Sequence, residues 1–141
     1  MNRRSILQAS VLGVVAGSTL SGAAVAGNNK GGKLAGAVFY TAENPGRWDK
    51  KVSGHSPVVQ AETAKGDKKV TVTTPHEMTD SHFIVKHTLF DKDMNLLGEK
   101  VFNPANDKAA ISSYSVGSYK GKVFAVSMCN KHDTWLAEFM V

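Results

Sequence analysis

The chain carries one cysteine, Cys129, and a histidine three positions later, His132, within Val126-Ser127-Met128-Cys129-Asn130-Lys131-His132-Asp133-Thr134-Trp135. A soft thiolate and an imidazole at that spacing can reach one metal ion from a single loop. Of the five histidines, His55, His76 and His82 also fall in or beside loops, the last two bracketing Glu77-Met78-Thr79-Asp80-Ser81. Four imidazoles and one thiolate are more than zinc takes in a closed tetrahedral site. They suit a five-coordinate transition metal, iron first among them, although imidazole also accepts copper, nickel and zinc. His87 lies five residues beyond His82, where a strand's period of two places it on the opposite face. It is read as a surface or structural histidine and not as a ligand.

Runs rich in β-branched and aromatic residues must position these donors. Residues 122–128 and 135–141 read as strands that flank the Cys129 turn. Residues 57–63 and 69–74 enclose Lys65-Gly66-Asp67-Lys68, a hairpin signal. Residues 82–90, 96–102 and 109–116 read as further strands, and 35–41 as a short one. Residues 43–48 read as a turn and 50–56 as a polar loop ending at His55. Seven or eight short strands without an amphipathic helix predict an all-β, immunoglobulin-like antiparallel β-sandwich. Sandwich loops gather at the two ends of the fold, which allows several of them to converge on one metal.

The first 26 residues read as an export signal. Arg3 and Arg4 precede Ser5-Ile6-Leu7, a short apolar run follows, and Ala24-Val25-Ala26 is a small-x-small cleavage site. The arginine pair is of the twin-arginine type, so a periplasmic protein is expected. The apolar run is too short and too polar to span a membrane, and no span is expected after cleavage. Removing Arg3 and Arg4 takes the formal charge from +5 to +3. That excess suits the steering of a small anion but is too small and too evenly spread for nucleic acid. A lone cysteine in an exported chain forms no internal disulfide, and its neighbours favour metal binding.

These residues together resemble the superoxide reductases, that is, neelaredoxin and the iron-binding domain of desulfoferrodoxin. His55-Ser56-Pro57-Val58-Val59 is similar to the family's His-Val-Pro-Val-Ile segment. Pro75-His76-x5-His82-Phe83-Ile84 is similar to its Pro-His-x5-His-Tyr-Ile. Leu97-Gly98-x-x-Val101-Phe102 is similar to a Leu-Gly-x-x-x-Phe strand. Gly121 to Trp135 resembles the closing Gly-Lys-Leu-Tyr-Ala-x-x-Tyr-Cys-Asn-x-His-Gly-x-Trp. The resemblance divides the chain into a signal at 1–26, a flexible segment at 27–47 with a short strand, and an iron-binding sandwich at 48–141. It implies one mononuclear iron held in a plane by His55, His76, His82 and His132, with Cys129 as axial thiolate and an open sixth position. It also implies that Fe(II) reduces superoxide by one electron, that two protons arrive and hydrogen peroxide leaves, and that an external one-electron donor protein restores the iron. Homodimers or tetramers are the assemblies it suggests.

The sequence departs from the family pattern at three points. The usual Glu-Lys before the first histidine is Ser53-Gly54 here. The missing glutamate is the residue that caps ferric iron in relatives, and the missing lysine attracts superoxide. Lys51, upstream in the same loop, is the candidate to replace that lysine as a catalytic residue. Asp133 stands where a glycine usually follows the last ligand. Two other functions remain open at this point. One is a non-catalytic or redox-sensing iron module of the same fold. The other is a cupredoxin-like electron carrier, which needs a late Cys-x-x-His but only one other histidine.

Overall fold

Alternation of inward and outward residues, clearest on three of the strands, places the core between two sheets. In the computed structural model, which describes residues 32–141, seven strands run in chain order: β1 (Val58–Ala64), β2 (Asp67–Thr74), β3 (Ile84–Asp91), β4 (Leu96–Val101), β5 (Ala110–Gly117), β6 (Lys122–Cys129) and β7 (Thr134–Met140). They form a three-stranded sheet, β1-β2-β5, and a four-stranded sheet, β4-β3-β6-β7. Every strand pair is antiparallel. The expected sandwich is the fold observed. The export signal expected at residues 1–26 lies outside the described residues. Among the described residues no helix is long and apolar enough to cross a membrane.

Inward residues on β6 are Val123, Ala125, Ser127 and Cys129. Val123 and Ala125 pack with Val70, Val72 and Leu89. Cys129 lies in a second cluster with Ile84, Phe102 and Ala110. The alternation that builds the core therefore also aims the one thiol inward, at the strand end where the loops meet. The β1–β2 hairpin turns at Lys65 (φ 52°) and Gly66 (φ 84°), the pair of left-handed residues that matches strand twist in a two-residue turn. Gly98 on β4 has a different reason. A Cβ there would stand 2.2 Å from the Tyr114 ring, so that ring needs a glycine to lie across β4.

Three local expectations are corrected. Residues 35–41 form no strand of the sheets. Tyr40 alone bridges β7, donating its N–H to Thr134 O at 2.9 Å and accepting from Leu136 N–H at 2.8 Å. The turn and polar loop expected at 43–56 are helical: a 3-10 segment, Gly46–Lys51, kinked at Trp48, runs into one α-turn, Val52–His55. His82 lies just before β3, where it bridges Thr79, so the face argument that separated it from His87 does not apply. His87 is nevertheless structural, being fully buried. Its Nε2 lies 2.9 Å from Thr74 Oγ1 and its Nδ1 2.9 Å from Ser112 Oγ, and Thr74 Oγ1 donates to Ser127 Oγ at 2.7 Å. This network joins the two sheets through β2, β3, β5 and β6.

Candidate metal centre

Four different pieces of chain bring the donors together. The α-turn supplies His55, the loop between β2 and β3 supplies His76 and His82, the end of β6 supplies Cys129, and the β6–β7 turn supplies His132. One ligand atom from each of these five residues lies within 4.8 Å of all the others. All five metal-ligand candidates read from the sequence are brought to one place.

The nitrogens form a closed ring. His55 Nε2 is 2.9 Å from His132 Nδ1, which is 3.0 Å from His82 Nε2. His76 Nε2 is 3.1 Å from both His82 Nε2 and His55 Nε2. A square with an edge of about 3.0 Å has its centre about 2.1 Å from each corner, the ordinary imidazole-to-metal bond length. Cys129 Sγ lies 3.7 Å from His132 Nδ1 and 3.9 Å from His76 Nε2, on the buried side.

The outward nitrogens show that the contacts of His76 Nε2 with His55 Nε2 and His82 Nε2 are not hydrogen bonds. His55 Nδ1 faces Lys51 O at 3.0 Å, His76 Nδ1 faces Glu77 O, and His82 Nδ1 is 2.7 Å from Glu77 Oε1. Carbonyl and carboxylate oxygens only accept, so each of these Nδ1 atoms carries the proton. The three Nε2 atoms then turn lone pairs towards one another, an arrangement that a central cation converts from repulsion into coordination. Burial holds His55 down to about 4, with the neighbouring His76 adding to the effect. Burial also lowers His76 and His132. His55, His76 and His132 are thus biased towards the neutral state that a metal requires.

Several supporting residues carried no ligand signal in the sequence. Asn130 braces the two loops: its Oδ1 accepts Phe83 N–H at 3.0 Å and its Nδ2 donates to Ser81 O at 3.1 Å. Lys131 N–H points at Cys129 Sγ at 3.4 Å. Trp135 Nε1 donates to His132 O at 2.9 Å.

Asp133 (φ 62°) adopts the left-handed conformation that a glycine would take easily. Its Oδ2 accepts from Trp48 Nε1 at 2.8 Å and from Arg47. The Trp48 ring meets His132 edge-on with 4.7 Å between centroids. The carboxylate thereby ties the helical segment bearing Lys51 and His55 to the turn bearing His132. Asp133→Ala is expected to cost about 1–2 kcal/mol, because a charge-assisted bond to a half-buried indole is lost along with a largely exposed ion pair. Asp133→Gly should cost less, since glycine relieves the positive φ. Denaturant unfolding of the three proteins, followed by tryptophan fluorescence, gives the comparison.

The model of the desulfoferrodoxin family matches residues 47–138. Among solved structures, the superoxide reductase (neelaredoxin) from Ignicoccus hospitalis is similar over 75% of this chain and 95% of its own, at 24% identity and a TM-score of 0.61. The one from Nanoarchaeum equitans covers 63% of this chain and 94% of its own, at 22% identity and a TM-score of 0.57. A superoxide reductase in the oxidised state covers 62% and 87%, at 26% identity and a TM-score of 0.52. No curated protein matches the chain. The first two likenesses carry the fold. The family match spans well over half the sequence and every element that supplies a donor atom, which a copper carrier of the cupredoxin kind would not explain: the chain belongs to the desulfoferrodoxin family.

Proposed function

We propose that the protein is a superoxide reductase with a mononuclear iron held by His55, His76, His82, His132 and Cys129. The observation that carries the reading is the ring of four inward-facing imidazole nitrogens beside a buried thiol. Bound iron would supply the single electron that converts superoxide and two protons into hydrogen peroxide, an external donor protein restoring it afterwards. The chain's own part is to hold, orient and attract. Cys129, only 4% exposed, offers a negative ligand from the core side. Metal-bound imidazoles are neutral ligands, so the loaded site would keep a net positive charge that favours an anion. The paired Arg3-Arg4 and the Ala24-Val25-Ala26 site support delivery to the periplasm as a folded, loaded protein.

Lys51 fits the role of the displaced lysine. It is exposed, its charge reaches both His76 and His132, and its carbonyl positions His55. Lys51→Ala should slow the second-order reaction with superoxide about two- to threefold at low ionic strength, as loss of one attracting charge acting through water would. The difference should fade in ~1 M salt, where the screening length is about 3 Å. Stopped-flow or pulse-radiolysis rates at two salt concentrations decide the matter. Equal rates at low salt would remove Lys51 from the mechanism.

A metal-holding module without turnover is the second reading. Its support is Ser53-Gly54, which places no charged side chain immediately before His55. Metal analysis, visible absorption and electron paramagnetic resonance of the oxidised protein test the centre. Consumption of superoxide in the presence of a reductant tests the activity. One peroxide formed per superoxide consumed is expected; a dismutase yields one per two, and the inert module yields none above background.

A further inference from the structure

We infer that the Glu77 carboxylate is a positioning residue that acts through His82 to stabilise the ferric state and lower the reduction potential of the centre. The inference rests on the iron reading above. Glu77 sits next to His76 in sequence and serves two of the four rings at once. Its carbonyl oxygen accepts the Nδ1–H of His76, and its side-chain Oε1 accepts the Nδ1–H of His82 at 2.7 Å. Among the described residues, no other carboxylate hydrogen-bonds one of the four imidazoles; His55 has only the neutral carbonyl of Lys51.

The loop keeps Glu77 in that place. Thr79 and His82 exchange backbone bonds of 3.0 and 3.1 Å, and Thr79 Oγ1 donates to His82 O at 3.0 Å. Met78, the next residue after Glu77, packs against the Ile84, Phe102, Ala110 and Cys129 cluster. The loop segment that carries Glu77 between the two ligands is thus anchored on its C-terminal side by Met78 and Thr79.

A carboxylate accepting the outer N–H of an imidazole draws that proton towards itself and leaves more negative charge on the inner nitrogen. Such partners fix the ring orientation and raise ligand basicity. A more basic ligand stabilises a trivalent ion more than a divalent one. The Glu77 side chain is 59% exposed, so water screens its charge over distance, but its direct bond to the ring transmits through the ligand. The result is charge compensation supplied from behind His82, not from a group standing on the metal itself.

Glu77→Gln separates charge from geometry, because the amide oxygen can still accept from His82 Nδ1. Iron content and thiolate absorption should persist, while preference for Fe(III) over Fe(II) falls by up to about tenfold. A tenfold change raises the midpoint of a one-electron couple by about 59 mV. Glu77→Ala removes orientation as well and should weaken iron binding 10–100-fold. Redox titration of the visible band gives the midpoints, and chelator competition gives the affinities. An unchanged or lower midpoint in a Glu77→Gln protein that keeps its iron would overturn the inference and leave the iron site standing. Wild-type protein that takes up no iron would overturn the site itself, and the inference with it.

Discussion

With iron bound as proposed, Cys129→Ser is expected to abolish the thiolate-to-iron absorption of the oxidised protein and to slow its reaction with superoxide more than about 100-fold. The estimate starts from the 10–100-fold cost of altering groups that only touch metal ligands; removing a ligand itself must exceed it. The hydroxyl of serine stays protonated where a thiol ionises, so the centre loses its one negative donor and gains a unit of positive charge. The four imidazoles remain to hold a metal, because Lys51 O and Glu77 position three of them and Trp48 and Trp135 contact His132, none of which depends on the sulfur. The colour should therefore vanish before the metal does. Serine also puts a hydroxyl where sulfur packed against Ile84, Phe102 and Ala110, a change that costs about 1–3 kcal/mol if the group finds no partner. Cys129→Ala controls for that cost, since it removes the donor without burying a polar atom. Retention of the wild-type absorption in either variant would remove Cys129 sulfur from the set of residues that would hold the metal.

Much of this was legible in the residues themselves. Period-two alternation gave β2 and β6 their inward faces, and Lys65-Gly66 marked its hairpin, because both signals are local. The donor set was legible because thiolate and imidazole are scarce groups and four of the chain's five histidines lie outside the strands. What was missed depends on contacts between distant segments. The stretch at 46–55 has glycines at Gly46 and Gly54 and no apolar stripe, so nothing local marks it as helical. It is held instead by Asp133 reaching Trp48 and Arg47 across 85 and 86 positions, and by His55 turning its Nδ1 back onto Lys51 O. Asp133 drew notice as a replaced glycine, but its effect could not be read without its partners. It pairs outward with Arg47 and Trp48 and keeps the left-handed turn. Glu77 looked like one more loop acid, because orientation towards His82 is a matter of loop geometry and leaves no mark in spacing.

His87 makes the protein acid-sensitive independently of the metal site. Burial, with a smaller contribution from Lys100, lowers its pKa to about 4, against an ordinary value of about 6.5. The folded state therefore favours the neutral ring, while the unfolded chain takes up the proton first. Between about pH 6.5 and 4 the unfolded state binds more protons, so stability must fall as pH falls. The contribution is complete above about pH 6.5 and has declined by roughly 3 kcal/mol at pH 4; below that the folded ring protonates too and the slope flattens. The physical cause is the network: the two ring nitrogens are already engaged by Thr74 and Ser112, and full burial denies an imidazolium any water. His87→Gln keeps polar contacts but cannot titrate. It should be less stable than wild type at pH 7.5, from imperfect packing against Phe102, whose ring meets His87 edge-on with 4.9 Å between centroids. At pH 4 that deficit should shrink by roughly 3 kcal/mol or reverse. Denaturant unfolding of the metal-free proteins at the two pH values measures this, because the four metal-facing imidazoles contribute equally to both and cancel in the difference. A deficit that stays constant with pH would mean that His87 is accommodated as a cation and that the buried network is not what sets the acid limit of the fold.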